Sequence, residues 1–105
     1  MEKMVEQGRL YDFYGELLTG HQRKIYEAAV YEDLSLSEIA ETEGISRQGV
    51  HDLLRRVTKT LQEYEDRLHM VERFDRITAH ANRLLEITDI EEVRLIADEI
   101  LKDMA

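Results

Sequence analysis

The most constraining feature of the sequence is the absence of proline from a chain of 105 residues that also contains only five glycines. Folds built from β-strands need many turns, and turns consist largely of glycine and proline. The residues that dominate instead, above all leucine, glutamate, arginine and alanine, are strong helix formers. The sequence therefore predicts an all-α fold, and its length predicts a single domain over residues 1–105.

Apolar residues recur every three or four positions, so they define the helices and their buried faces. We expect about six helices, at about 3–18, 20–32, 36–43, from 47 to a bend near 68–73, from there to about 87, and 90–103. Thr19 and Asp89 are suitable N-terminal caps, and Thr88 with Asp89 separates the last two helices. The side chains expected to face the interior include Leu17, Tyr31, Ile90, Ile96 and Leu101. The apolar stripe that begins at Val50 continues through Leu68 and Phe74.

The segment from residue 35 to residue 61 has the signals of a helix-turn-helix. Ser35 followed by Glu38 is a capping box that begins a short helix, and Gly44 suits the left-handed residue that closes it. Small or apolar residues are needed where the two helices touch, and the sequence supplies Ala40, Ile45 and Val50. Residues 1–67 are thus expected to form a helix-turn-helix bundle, and residues 68–105 a C-terminal helical hairpin or arm.

The second helix of this motif would carry polar, donor-rich side chains on its outer face, where a DNA major groove could receive them. Residues 46–61 contain four basic side chains and one acidic side chain, although the whole chain has a net charge of −9. Local charge matters more than the total because salt screens exposed charges beyond about 8 Å. The side chains predicted to bind DNA are Arg47, Gln48, His51, Asp52, Arg55 and Arg56.

The helix-turn-helix of region 4 in bacterial sigma factors is similar to this chain in three runs: Leu18-Thr19-x-x-Gln22, Tyr31-x-Asp33-x-Ser35-Leu36-x-Glu38-Ile39-Ala40 and Gly44-Ile45-Ser46-Arg47-Gln48-x-Val50. The flanks resemble the YlxM-like family of small bacterial proteins, often encoded beside the signal recognition particle GTPase, in Phe13-Tyr14-x-x-Leu17-Leu18-Thr19 and Tyr64-Glu65-x-x-Leu68-His69-Met70. That resemblance implies a DNA-binding transcription regulator, or an accessory of this GTPase or its RNA.

The sigma-factor resemblance also implies individual roles on the second helix. It assigns base contacts to Arg47, Gln48 and Asp52, and phosphate contacts to His51, Arg55 and Arg56. The chain departs from the sigma pattern at Gly49, where those proteins often carry a polar or basic residue. A glycine there removes a contact and loosens the helix, which argues against sequence-specific binding.

Catalytic, metal and membrane signals are weak or missing from the sequence. There is no cysteine, so no thiol nucleophile or thiolate zinc site can form. Glu65, His69 and Glu72 share a helical face, but one histidine with two exposed acids is a weak ligand set. We expect no metal, no cofactor and no enzymatic activity. The chain has no apolar signal segment and no run of about 20 apolar residues, so we expect a cytoplasmic protein.

Several features have two interpretations on sequence alone. The acidic second part, with twelve acidic and six basic side chains in residues 62–105, is either ordinary solvated surface or a dimerisation arm, and we favour a homodimer. Arg55, Arg56 and Lys59 could equally be a solvated helix face. The aromatic side chains are expected to belong to the core rather than to stack on bases, and they are Tyr11, Phe13, Tyr14, Tyr26, Tyr31 and Tyr64.

Overall fold

The computed structural model describes residues 2–87 and 89–104, which form helices and no strand. The α-helices are α1 (Glu2–Tyr14), α2 (Gly20–Val30), α3 (Leu36–Glu43), α4 (Arg47–Leu68), α5 (Met70–Glu86) and α6 (Ile90–Met104), with a short 3-10 helix at Gly15–Leu17. The predicted all-α fold is confirmed. The chain divides after Leu68 into two compact units, and Thr88, predicted to help separate the last helices, lies outside the described residues.

Two helices of the first unit begin with complete capping boxes. Thr19 Oγ1 accepts a hydrogen bond from the Gln22 amide at 3.2 Å, and Gln22 Oε1 accepts one from the Thr19 amide at 3.0 Å. At α3 the Glu38 amide donates to Ser35 Oγ at 3.1 Å, and the Ser35 amide donates to Glu38 Oε1 at 3.2 Å. Because each capping side chain stabilises a helix by about 1 kcal/mol, these pairs fix where α2 and α3 start.

Helix α1 ends four residues earlier than the sequence predicts. A Cβ built on the buried Gly15 would lie 2.9 Å from Cε2 of Tyr11, so the glycine lets the tyrosine ring lie against the backbone. The chain then tightens into the 3-10 helix, which rotates Leu17 out of the apolar stripe. The predicted burial of Leu17 is therefore wrong, since 57% of this residue is exposed.

The core of the first unit is organised around one face of α4. Val50, Val57 and Leu61 on this face are fully buried, and the helix packs against α1, α2 and α3. A hydrogen bond from the Tyr14 hydroxyl to Glu65 Oε1, 2.6 Å long, also joins α1 to α4. The other buried apolar side chains of this core are Leu10, Tyr14, Leu18, Ile25, Tyr26, Ile39, Ala40 and Leu53.

Three tyrosines pack together between α1 and α2. The Tyr11 and Tyr26 rings are stacked with centroids 5.0 Å apart, and the Tyr31 ring is 5.7 Å from that of Tyr11. The Tyr26 hydroxyl donates to the Gln7 carbonyl at 3.1 Å, and the Tyr11 hydroxyl donates to Glu27. The prediction that Tyr31 is a core residue is wrong, because it follows the end of α2 and 53% of it is exposed.

The tyrosine cluster predicts a loss of stability at alkaline pH. Burial is the main cause that raises the pKa of Tyr26 from 10.0 to about 12, and the nearby Tyr31 and Tyr11 contribute to this rise. An unfolded chain would release this proton near pH 10, whereas the folded chain keeps it to about pH 12. The contribution of Tyr26 to the free energy of unfolding is therefore complete below pH 10 and is lost as the pH rises through 12. Urea unfolding of the wild type and Tyr26→Phe across this range should give a shallower decline for the variant. Parallel declines would contradict this assignment.

The second unit is an α-helical hairpin that begins after a break at His69. The break falls inside the predicted interval, and His69 adopts a left-handed conformation with φ 55°. At the hairpin turn Asp89 Oδ1 accepts a hydrogen bond from the Glu91 amide at 2.9 Å, as expected of an N-cap. Two polar side-chain contacts join α5 to α6: His80 Nε2 lies 3.1 Å from Asp103 Oδ2, and Arg83 Nη1 lies 3.4 Å from Glu99 Oε2.

The hairpin buries far less apolar surface than the sequence predicts. Ile96 is the one buried apolar side chain among its described residues, whereas Ile90 is 78% exposed and Leu101 is 64% exposed. Phe74 is also largely exposed, as is Leu68 at the end of α4. The prediction of inward positions for Ile90 and Leu101 is wrong. The physical reason in the hairpin is that two helices share one packing seam, which covers only one stripe of each.

Candidate nucleic-acid interface

The turn between α3 and α4 is closed by a glycine in the left-handed conformation. Gly44 has φ 69° and ψ 30°, and its amide donates to the Ala40 carbonyl. The next amide, of Ile45, donates to the same carbonyl at 3.1 Å. A residue with a side chain is strained at this φ. Glycine at position 44 therefore lets α3 end at Glu43 and α4 begin at Arg47.

Helices α3 and α4 pack against each other, and the three apolar residues predicted to lie at this contact are shielded from solvent. Ala40 and Val50 are buried and Ile45 is half-buried. A small side chain at Ala40 allows the two helices to approach closely. This contact fixes the direction in which the first turns of α4 leave the motif.

The start of α4 is capped by Ser46, and Gly49 makes room for that cap. Ser46 Oγ accepts a hydrogen bond from the Gly49 amide at 2.9 Å, and the Ser46 carbonyl accepts one from Val50 at 3.0 Å. A Cβ at Gly49 would lie 3.1 Å from Ser46 Oγ. The glycine that departs from the sigma-factor pattern therefore leaves the capping hydroxyl undisturbed, a role that the sequence analysis missed.

The six residues predicted to bind DNA occupy the part of α4 that faces away from its buried side. Arg47, Gln48, His51, Arg55 and Arg56 are exposed and Asp52 is partly exposed, while Val50, Leu53 and Val57 are buried behind them. Three of the six, together with Leu36 from the start of α3, line a shallow pocket of about 380 Å³: Arg47, Gln48 and His51. The arrangement forms a continuous polar surface over the first three turns of α4.

Asp52 has two partners within this surface. Gln48 Nε2 donates to Asp52 Oδ1 at 3.0 Å, and His51 Nδ1 lies 3.7 Å from the same oxygen. The carboxylate of Asp52, the acidic residue within the basic stretch, thus orients the amide of Gln48.

A larger pocket between α2 and α4 lies next to this polar surface and includes one basic residue outside the predicted set. It has a volume of about 760 Å³, and His51, Arg55 and Lys59 lie along its α4 side while Tyr26 and Ala29 contribute from α2. Lys59 was not among the predicted contacts. The four-residue spacing of the three basic side chains, which places them on one helical face, is the sequence signal that could have identified it.

Comparison with known proteins identifies the family of the chain. Residues 1–102 match the family model described as "Putative helix-turn-helix protein, YlxM / p13 like". The chain belongs to this family. The prediction from the sequence is confirmed, and the match includes both helices of the motif described above. In the part of the chain that the structure describes, no helix has the length and apolar character to cross a membrane.

The family is designated UPF0122, and individual relatives are named UPF0122 proteins. The protein of Symbiobacterium thermophilum is 48% identical over 89 residues, which cover 85% of this chain and 78% of the relative. That of Thermoanaerobacter sp. is 43% identical over 93 residues, covering 89% and 80%. That of Bacillus mycoides is 37% identical over a gapped alignment of 107 positions that covers 97% of both chains.

Proposed function

We propose that this chain binds duplex DNA by placing the first turns of α4 in the major groove. The observation that carries the proposal is the exposure of Arg47, Gln48 and His51 at the start of the second helix of a glycine-closed helix-turn-helix. In proteins of this architecture, the leading residues of the second helix contact base edges. The family's description as helix-turn-helix proteins supports the same function.

The side chains of α4 divide by chemistry into two groups. Arg47 can bridge O6 and N7 of guanine, Gln48 can pair with adenine, and Asp52 can accept from cytosine N4. For Gln48 to read a base, its hydrogen bond to Asp52 must open. The second group consists of the phosphate contacts His51, Arg55 and Arg56, which position the helix without reading sequence.

We propose further that the protein acts as a homodimer and as a regulator of transcription in the cytoplasm. Other helix-turn-helix dimers place their two recognition helices about one DNA turn apart, roughly 34–36 Å, and we propose the same mode of binding for a homodimer of this chain. The exposed apolar side chains of the second unit support self-association. No enzymatic step is part of this proposal, because contacts of this kind bind DNA without changing it.

The proposal is tested by fluorescence anisotropy with a pool of random-sequence duplexes in a salt series. Three phosphate contacts per chain predict that the binding constant falls with salt, with a logarithmic slope of about −3 for one chain and about −5 for the homodimer. If base contacts are made, sequencing the duplexes from the same pool that bind to immobilised protein would show an enriched motif. Absence of binding at low salt, or binding that does not change with salt, would contradict the proposal.

A second candidate function is docking on the signal recognition particle GTPase or its RNA, which the family resemblance implies. The observation in its favour is the hairpin, whose acidic and apolar exposed surface suits a protein partner better than an RNA. A pull-down with the purified GTPase, with and without its RNA, separates the two candidates. Docking that survives charge reversal on α4 would support this function, and failure to recover the GTPase would contradict it.

A further inference from the structure

Helix α6 carries an apolar stripe that its packing in the hairpin leaves exposed. Ile90, Leu101 and Met104 are each more than 60% exposed, and Val93 is 37% exposed. Together with the half-buried Ala97, these residues fall within about a quarter of the helix circumference at 3.6 residues per turn. The residue buried in the hairpin, Ile96, lies on the neighbouring face. The stripe is therefore additional to the seam between α5 and α6.

The spacing of the stripe is symmetric about Ala97. Ile90 and Met104 precede and follow Ala97 by seven residues, and Val93 and Leu101 precede and follow it by four. Two copies of α6 that cross antiparallel at Ala97 would place Ile90 opposite Met104 and Val93 opposite Leu101. A two-fold interface is self-complementary in this sense, and the small alanine at the centre lets the two helices approach closely.

Helix α5 widens the same apolar face. Leu85 is 86% exposed, and the helical periodicity of an antiparallel pair places it on the same side of the hairpin as the α6 stripe. Leu85 and the four large side chains of the stripe expose on the order of 600 Å², close to the roughly 800 Å² per partner of a stable interface. Exposed apolar patches of this size mark interaction sites.

We propose that this face of α6, centred on Ala97, is the contact surface for a second copy of the chain. Two hairpins joined here form a four-helix arrangement that buries the stripe. The proposal deepens the homodimer put forward above and rests on it, but it does not require DNA binding. A dimer that does not bind DNA would contradict the DNA-binding function alone, whereas a monomer that binds DNA would contradict the homodimer and this interface but not DNA binding.

The first test compares two leucines of α6 that are equally exposed. Leu95 and Leu101 are each 64% exposed, but Leu95 lies roughly 160° around the helix from Ala97. Light scattering after size exclusion, over a concentration series, should give a dimer for the wild type and Leu95→Asp and a monomer for Leu101→Asp. A monomeric wild type, a dimeric Leu101→Asp or a monomeric Leu95→Asp would each overturn the proposal.

The second test uses the absence of cysteine from the chain. A single cysteine in Ala97→Cys should be close to its copy at the two-fold axis, and mild oxidation should link the chains. The matched variant Leu95→Cys should remain largely unlinked. Both substitutions fall at half-buried or exposed positions, so circular dichroism should show unchanged helix content. Equal linking of the two variants, or none at residue 97, would overturn the two-fold arrangement.

Discussion

A double charge reversal, Arg47→Glu with Arg55→Glu, is expected to weaken binding to duplex DNA by at least about 100-fold near 100 mM salt. Arg47 is the proposed base contact, and such a bidentate contact contributes about 1–3 kcal/mol. Arg55 is the proposed phosphate contact, so its loss also lowers the salt dependence by about one ion. Both side chains are exposed, which means that the fold should tolerate the changes. Anisotropy titrations together with thermal unfolding measure both effects.

The control for this experiment changes the charge equally in the second unit. Arg73→Glu with Lys102→Glu alters two exposed residues of α5 and α6 and makes the same difference to net charge. It should lower affinity only slightly, because neither residue is a proposed DNA contact and salt screens the remaining exposed charges. Equal loss of binding in the two double variants would indicate a general electrostatic effect, and the assignment of α4 as the interface would then be wrong.

The largest effect on stability is expected from Leu61→Ala, which should lower the free energy of unfolding by about 2–5 kcal/mol. Leu61 is fully buried on the face of α4 that forms the core of the first unit. Removing its side chain takes apolar surface out of the core and leaves a cavity that the packed neighbours fill only in part. Urea unfolding followed by circular dichroism measures the difference. This change should also weaken DNA binding, since α4 is positioned by the same core.

The matched variant is Leu17→Ala, at the leucine that the 3-10 helix turns toward solvent. With 57% of the residue exposed, its truncation should change stability by no more than about 0.5 kcal/mol, as for other surface positions. A loss similar to that of Leu61→Ala would show that Leu17 belongs to the core after all. Such a result would support the continuous first helix, over about 3–18, that apolar periodicity predicts.

The helix-turn-helix could be predicted closely because its signals are local. Ser35, Glu38 and Gly44 fix the two ends of α3 through hydrogen bonds and backbone conformation within a few residues. The end of α1 could not be predicted in this way. It depends on how the Tyr11 ring lies against Gly15, a contact that a count of apolar spacings does not contain.

The faces of α6 show a different limit of sequence analysis. Its apolar residues lie on two neighbouring faces, and periodicity shows that a residue is apolar without showing which partner covers it. Ile96 packs in the hairpin whereas Ile90 and Leu101 are exposed, although all three were predicted to face inward. In the candidate site, the positions on α4 could be predicted, but the hydrogen bond between Gln48 and Asp52 requires side-chain conformations that the sequence does not specify.

Photo-crosslinking from position 48 tests the DNA interface most directly. A benzophenone side chain replacing Gln48 would lie at the exposed leading edge of α4, and the same group replacing Leu95 would lie on the hairpin. With a bound duplex, irradiation should link DNA to position 48 and leave position 95 unlinked. A duplex that binds but is linked only from position 95, or equally from both, would contradict the proposed use of α4.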